Sequence, residues 1–170
     1  MLNPIYNEMA KIAVNYSTRI KKGDRVLIFG STVAEDLVLA IIIETIKAGG
    51  HPFTNVNVEG EQEAKLKYGS DEQLEYVDDI IIQAAKEFDA LISVRAEYNT
   101  RKFSGFDQSK VAKATGNENQ RKLNEIIQKR SAQGEFNWVI LPYPCEAYAQ
   151  EASMDILSYT EFMKKSLFLD

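Results

Sequence analysis

Two residues that occur once each, His51 and Cys145, are the first candidates for chemistry in this 170-residue sequence. A catalytic zinc ion usually has three protein ligands with further partners behind them, yet no His-x-x-Glu or Glu-x-x-His pattern includes His51. Before Pro52, at the exit of a predicted helix, His51 is better explained as a capping or hydrogen-bonding residue. Cys145 would need an activating base to act as a nucleophile, so it is interpreted as a structural thiol. We therefore predict no catalytic residue and no metal ligand in this chain.

A second candidate is the turn from Phe29 to Thr32, whose backbone N–H groups and two hydroxyls could meet a phosphate at a helix N-terminus. A dinucleotide fingerprint needs three spaced glycines and a P-loop needs Gly-Lys-Ser/Thr, and the sequence has neither. Because Thr32 and Glu35 also fit a capping box, a turn that caps a helix is the favoured interpretation. The carboxylate pairs Glu35-Asp36 and Asp78-Asp79 fall in predicted helices, where adjacent side chains diverge, and are expected to be solvated.

The strongest candidate is the polar loop from Arg95 to Gly105, which follows a predicted parallel strand. Ligands of open α/β sheets bind outside the carboxyl ends of the strands, next to the point where the strand order reverses. Asn99, Thr100 and Arg101 supply hydrogen-bond donors in this loop. We therefore predict that Arg95, Asn99, Thr100 and Arg101 line a substrate cleft, and the alternative is an ordinary surface loop.

The segments that must position this loop alternate between strand and helix patterns. Short β-branched or aromatic runs predict four strands, at Arg25 to Phe29, from His51-Pro52 onward, at Ala90 to Val94 and at Phe136 to Leu141. This alternation predicts an α/β fold: a three-layer domain with a mainly parallel sheet of about four or five strands and helices on both faces. For a strand order of 2-1-3-4, the reversal lies between the strands that begin near Arg25 and Ala90.

Capping residues mark the starts of the intervening helices, at Asn3, Thr32, Ser70 and Asp107. The first helix is predicted to end around Lys21 to Gly23, with Tyr16 in its apolar stripe. The helix after Ser70 is predicted to continue to Phe88. The chain then finishes with two helical patterns and the apolar end Phe168-Leu169-Asp170, interpreted either as an element that lacks its packing partner or as a docked terminal helix.

Charge and composition exclude several classes of partner. The net charge of −5 and the pI near 5.1 give no basic patch for nucleic acid. No apolar run approaches the length needed to cross a bilayer, so no membrane partner is expected. A single cysteine excludes an internal disulfide and favours a reducing compartment. We expect a soluble cytoplasmic protein.

Four phrases carry a family resemblance: NYS from Asn15, GSDEQLEYV from Gly69, EYNTRKFSG from Glu97 and RSAQGEFNW from Arg130. LPYP at Leu141 to Pro144 and AQEASM at Ala149 to Met154 follow in the same order, so the resemblance extends over nearly the whole chain. The chain resembles the thermophilic metallo-aminopeptidase family of the aminopeptidase T and aminopeptidase S type.

The resemblance implies that residues 1–152 form an N-terminal α/β domain and that residues 153–170 lead towards a C-terminal catalytic domain. The full-length protein would be a metal-dependent aminopeptidase, a homodimer that removes N-terminal residues from peptides with two divalent metal ions such as zinc or cobalt. The family's metal ligands lie in the other domain, so none is carried over to a residue here. The chain alone is expected to bind no cofactor, to be inactive and to wall the catalytic cleft. The alternative is a stand-alone binding or oligomerisation module without catalysis.

Overall fold

Four parallel strands form one sheet in the computed structural model, which describes residues 3–167. The strands are β1 (Arg25–Ser31), β2 (His51–Asn57), β3 (Ala90–Arg95) and β4 (Asn137–Pro142). Their order is β2-β1-β3-β4, and every neighbouring pair is parallel. The predicted fold class is confirmed, and the strand order reverses between β1 and β3 as expected. The predicted apolar end at residues 168–170 lies outside the described residues.

Helices occupy most of the remaining chain between residues 3 and 167. They are α1 (Pro4–Lys11), α2 (Glu35–Lys47), α3 (Glu61–Tyr68), α4 (Asp71–Glu75), α5 (Asp79–Glu87), α6 (Gln108–Gly116), α7 (Glu118–Ala132), α8 (Glu146–Glu151) and α9 (Ile156–Ser166). None of the helices in this range combines the length and the apolar content that a membrane crossing requires.

The two faces of the sheet are covered by different helices, because alternate residues of a strand point to opposite faces. On one face, side chains of β1 and β3 such as Val26, Ile28 and Ile92 pack with α1 and α2 in the main hydrophobic core. On the other face, the ring of Phe53 in β2 contacts that of Phe88, directly after α5, and α5 packs against α7. The domain therefore has three layers.

Arg130, near the end of α7, ties the second helix layer to the start of β4. Its Nη1 atom donates hydrogen bonds to the carbonyl oxygens of Ala85 and Phe88, at 2.9 and 2.6 Å. Its Nη2 atom donates to the carbonyl of Glu135 at 3.2 Å, and the guanidinium lies 5.3 Å from the centre of the buried Phe136 ring. The planar guanidinium group thus donates hydrogen bonds to carbonyl groups of two segments, which the ammonium group of a lysine could not do with the same geometry.

The first helix ends earlier than predicted, at Ser17. Its last turn, Ile12–Ser17, is π-helical, and the buried hydroxyl of Thr18 donates to the carbonyl of Ala13 at 2.7 Å. A π-helical turn holds more residues than an α-helical turn, so it shifts the facing of the side chains that follow. Tyr16 is therefore 76% exposed instead of lying in the apolar stripe. Arg19, with φ of 53°, then turns the chain towards β1.

The capping box predicted at Thr32 and Glu35 does not form. Strand β1 continues through Ser31, which pairs with Asn57 of β2, and Thr32–Ala34 is a short 3₁₀ turn before α2. Because Thr32 is already inside this turn, it does not take the capping position, and Ala34 precedes α2 without a side-chain cap.

The capping box at Ser70 and Gln73 forms as predicted, but the helix that it opens is short. Tyr76 adopts an extended conformation, with ψ of 131°, and ends α4 after Glu75. Asp78 then caps α5 by accepting a hydrogen bond from the N–H of Ile80 at 2.8 Å. The single helix predicted from Ser70 to Phe88 is therefore two helices, and Asp78 has a structural role beyond solvation.

Gly30 fixes how closely α2 approaches the sheet, and its replacement should be costly. A Cβ atom at Gly30 would lie 2.6 Å from Cγ2 of Val38. We expect Gly30→Ala to lower the free energy of unfolding by about 1–3 kcal/mol through overpacking, measured by chemical denaturation. The matched control is Gly105→Ala, where no atom lies within 4 Å of the added carbon. In the Gly30→Ala background, Val38→Ala should lower the free energy of unfolding less than it does in the unaltered chain, because the shorter side chain makes room for the added carbon. The expected coupling energy is about 0.5–3 kcal/mol. Strict additivity of the two substitutions would contradict this packing argument.

Candidate functional site

A crevice of about 80 Å³ opens at the carboxyl ends of β1 and β3, where the strand order reverses. Its floor includes Gly30 and Ser31 at the end of β1. One wall is formed by residues 94–98 and Lys102, and the other by residues 57–60, 62 and 63, which join β2 to α3. This is the position at which open α/β sheets bind ligands.

Arg95 is the one predicted site residue that lines this crevice. Its exposed side chain stands at the end of β3, and it forms no ion pair with any other residue in the described range 3–167. Glu59 and Glu63 line the crevice from the β2 side, and between residues 3 and 167 neither of them is in an ion pair. The crevice thus carries a cationic group and two carboxylates that do not neutralise one another directly.

A mostly buried ion pair holds the loop that follows β3. Nζ of Lys102 lies 2.5 Å from Oε2 of Glu97, and the two side chains are only 13% and 32% exposed. The same ammonium group lies 5.2 Å from the centre of the Phe103 ring. Because Lys102 and Glu97 neutralise each other, they leave Arg95, Glu59 and Glu63 as the charges available to a ligand.

Asn99, Thr100 and Arg101 lie on the rim, away from the crevice, where the loop meets α8. The hydroxyl of Thr100 donates to Oε1 of Glu151 at 2.7 Å, and Nε of Arg101 lies 3.6 Å from the same oxygen. The side chain of Asn99 accepts a hydrogen bond from the N–H of Arg101 at 2.9 Å. The four predicted residues therefore occupy two places on the same edge of the sheet, and their contact with a substrate stays a prediction.

Two tyrosines near this edge are held in the neutral form. Burial raises the pKa of Tyr148, in α8, and the negative charge of Glu97 raises it further. Burial is also the main cause that raises the pKa of Tyr143, whose hydroxyl accepts a hydrogen bond from the hydroxyl of Tyr6 at 3.2 Å. Neutral phenols bind through hydrogen bonds and are weak nucleophiles. Both phenols therefore act as hydrogen-bonding groups at this edge.

His51 and Cys145, the first candidates for chemistry, lie far from each other in the fold. His51 pairs in register with Arg25 at the amino end of the sheet, which is the edge opposite the crevice. Cys145 is buried directly before α8. Between residues 3 and 167, no three His, Cys, Asp or Glu side chains come together closely enough to hold an ion.

Sequence reasoning missed Glu59, Glu63 and Lys102 as crevice residues. Glu59 and Glu63 follow β2, whose carboxyl end meets the same edge as that of β3. The rule that pointed to the loop after β3 could have pointed to them as well. Lys102 belongs to the predicted loop, but its burial against Glu97 and Phe103 is visible only in three dimensions.

Comparisons with known proteins identify a family from the sequence and a shared fold from the structure. A family model described as thermophilic metalloprotease (M29) matches residues 3–170. Wild-type AmpT from Thermus thermophilus matches the fold with a TM-score of 0.76 at 15% sequence identity, covering 96% of this chain and 42% of that chain. This chain therefore spans less than half the length of that protein, and the likeness at this identity shows a shared fold.

Other solved structures are less similar. The CurK enoyl reductase matches with a TM-score of 0.37 at 14% identity, covering 95% of this chain and 48% of that chain. An alcohol dehydrogenase superfamily protein from Novosphingobium aromaticivorans matches with a TM-score of 0.41 at 14% identity, covering 99% of this chain and 49% of that chain. These scores are too low to indicate a shared fold. No curated protein sequence shows a significant match.

The two ion pairs of the loop after β3 should differ in their contribution to stability. Lys102→Met leaves the mostly buried Glu97 without its partner, and we expect it to lower the free energy of unfolding by about 1–3 kcal/mol. Arg101→Met breaks the exposed pair with Glu151 and should cost less than about 1 kcal/mol. Chemical denaturation measures both.

Adding Glu97→Gln to Lys102→Met serves as the internal check on that comparison. Because the double substitution removes both charges, it should recover part of the loss. Equal costs for Lys102→Met and Arg101→Met would contradict the anchoring role of the buried pair.

Proposed function

This chain belongs to the thermophilic metalloprotease family (M29), and from that membership we propose that it is the N-terminal α/β domain of a metal-dependent aminopeptidase. The enzyme would remove N-terminal residues from peptides. The observation that carries the proposal is the family match along residues 3–170. The fold match covers only 42% of the longer AmpT chain. This coverage supports the proposal that a further domain completes the enzyme. The family resemblance predicted from the sequence is confirmed.

The role proposed for this domain is architectural. Loops at the carboxyl edge of the sheet would wall one side of the catalytic cleft and limit access to free peptide N-termini. Arg101, whose side chain is 80% exposed on the rim beside Glu151, would exchange this surface ion pair for contacts with a substrate. The proposal assigns the two divalent metal ions, such as zinc or cobalt, to the further domain, since residues 3–167 assemble no ligand set for them.

The C-terminal segment supports a contact with such a domain. Ser153, with φ of 56°, turns the chain between α8 and α9, close to the proposed boundary between residues 1–152 and 153–170. On α9, Leu157 and Phe162 are 76% and 53% exposed, whereas Met163 is buried. We infer that these two side chains would become buried against the further domain, as contiguous apolar surfaces are where another protein segment binds. The full-length enzyme is further proposed to be a homodimer and to act in the cytoplasm.

The purified chain alone should have no aminopeptidase activity. Hydrolysis of a leucyl arylamide with added zinc or cobalt is expected to equal that of the metal in buffer, and thermal unfolding should show that the chain is folded. The coding sequence after Asp170 should continue in frame and encode clustered His, Glu and Asp residues. Robust turnover by the chain alone, or a stop codon directly after Asp170, would contradict the proposal.

If the domain walls the cleft, substitutions in the rim should weaken peptide binding by the full-length enzyme. Arg101→Glu should raise KM for peptides by about threefold or more and change kcat by less than about twofold, because a wall residue contributes to binding and not to the chemical step. Arg121→Glu is the matched control, since Arg121 is an exposed arginine on α7, outside the loop. An unchanged KM in Arg101→Glu, or the same rise of KM in both variants, would show that the rim is not part of the substrate cleft.

A further inference from the structure

We propose that the crevice at the strand reversal is a binding site for a small zwitterion, an α-amino acid of the size of glycine, alanine or serine. The proposal rests on the charges, donors and volume of the crevice and goes beyond the architectural role described above. It does not require this chain to take part in peptide hydrolysis.

The charges of the crevice come from the two strands that flank β1. Arg95 supplies a guanidinium from the end of β3, and Glu59 and Glu63 supply carboxylates from the β2 side. Lys102 already neutralises Glu97. A simple anion would be attracted by Arg95 and repelled by the two carboxylates. A simple cation would be attracted by the carboxylates and repelled by Arg95. A ligand with one carboxylate and one ammonium group satisfies both walls at once.

Neutral groups in the lining add hydrogen bonds that a zwitterion can use. Ser31, Tyr98 and Asn57, whose side chains carry two hydroxyls and an amide, line the crevice beside the charged residues. The hydroxyl of Ser31 makes only a long contact of 3.5 Å, with the carbonyl of Ala96, so it is available to a ligand. Hydroxyl and amide groups can donate to a carboxylate or accept from an ammonium group.

The crevice is small and opens to solvent. Its volume is about 80 Å³, against the roughly 10–15 Å³ that a single water needs. A small amino acid therefore suits it, and the side chain of leucine or phenylalanine would project out of the crevice.

Titration of the ¹⁵N-labelled 170-residue chain with alanine tests the proposal. We expect saturable shifts of the amide signals of Gly30, Ser31, Gly60 and Ala96, which line the crevice. Arg95→Gln and Glu63→Gln should each weaken alanine binding by about ten- to a hundredfold, the range for a lost hydrogen bond to a charged group. Arg121→Gln is the matched control and should bind alanine as the unaltered chain does, because Arg121 is an exposed arginine on α7 that does not line the crevice.

Two further ligands test whether both charges of the zwitterion are needed. Propionate lacks the ammonium group and ethylamine lacks the carboxylate, so both should bind at least about tenfold more weakly than alanine. The proposal fails if alanine gives no saturable shift at the crevice, if propionate or ethylamine binds as tightly as alanine, or if Arg121→Gln weakens binding as much as Arg95→Gln. No enzymatic activity enters the measurement, so its failure is distinguishable from failure of the aminopeptidase proposal.

Discussion

The reversal of strand order between β1 and β3 is the constraint on which the rest of the structure depends. From β1 the chain moves to one side of the sheet, and from β3 it moves to the other. Because crossovers between parallel strands are right-handed, connections that run in opposite directions lie on opposite faces. The helices therefore separate into the layer of α1 and α2 and the layer of α5 and α7. The connecting segments diverge at the carboxyl ends of the two central strands, and the gap between them is the crevice.

Charges at this edge are divided between structure and binding by their burial. Glu97 and Lys102 are mostly shielded from water and paired at close distance, so they hold the loop and are not available to a ligand. Arg95, Glu59 and Glu63 border the open space, where a charge keeps much of its hydration until a ligand replaces it. An edge can therefore be highly charged and still leave only a few groups for recognition.

The parts of the fold that could be predicted from sequence are those set by local pattern. Strands such as β3 are short β-branched runs between turn residues, and the box at Ser70 needs only contacts three residues apart. The early end of α1 depends on a π-helical turn, and the lost cap at Thr32 depends on pairing between Ser31 and Asn57. The pairing of Ser31 with Asn57 is a long-range contact that overrides the local preference for a cap at Thr32. The position of Arg95 at the end of β3 follows from the strand pattern. Its separation from Thr100 and Arg101 does not, because it depends on the contacts of those two residues with Glu151.

The pairing of the central strands also sets the order in which the domain can be completed during synthesis. Strand β1 pairs with β2 across a short stretch of chain, but its other edge pairs with Ala90 and the residues that follow it. That edge has no partner until β3 has left the ribosome, and β4 is added later still. An unpaired strand edge invites association with other chains, and parallel sheets built from distant segments fold slowly. The edge of β1 that faces β3 is therefore open to such association from the synthesis of β2 until that of β3.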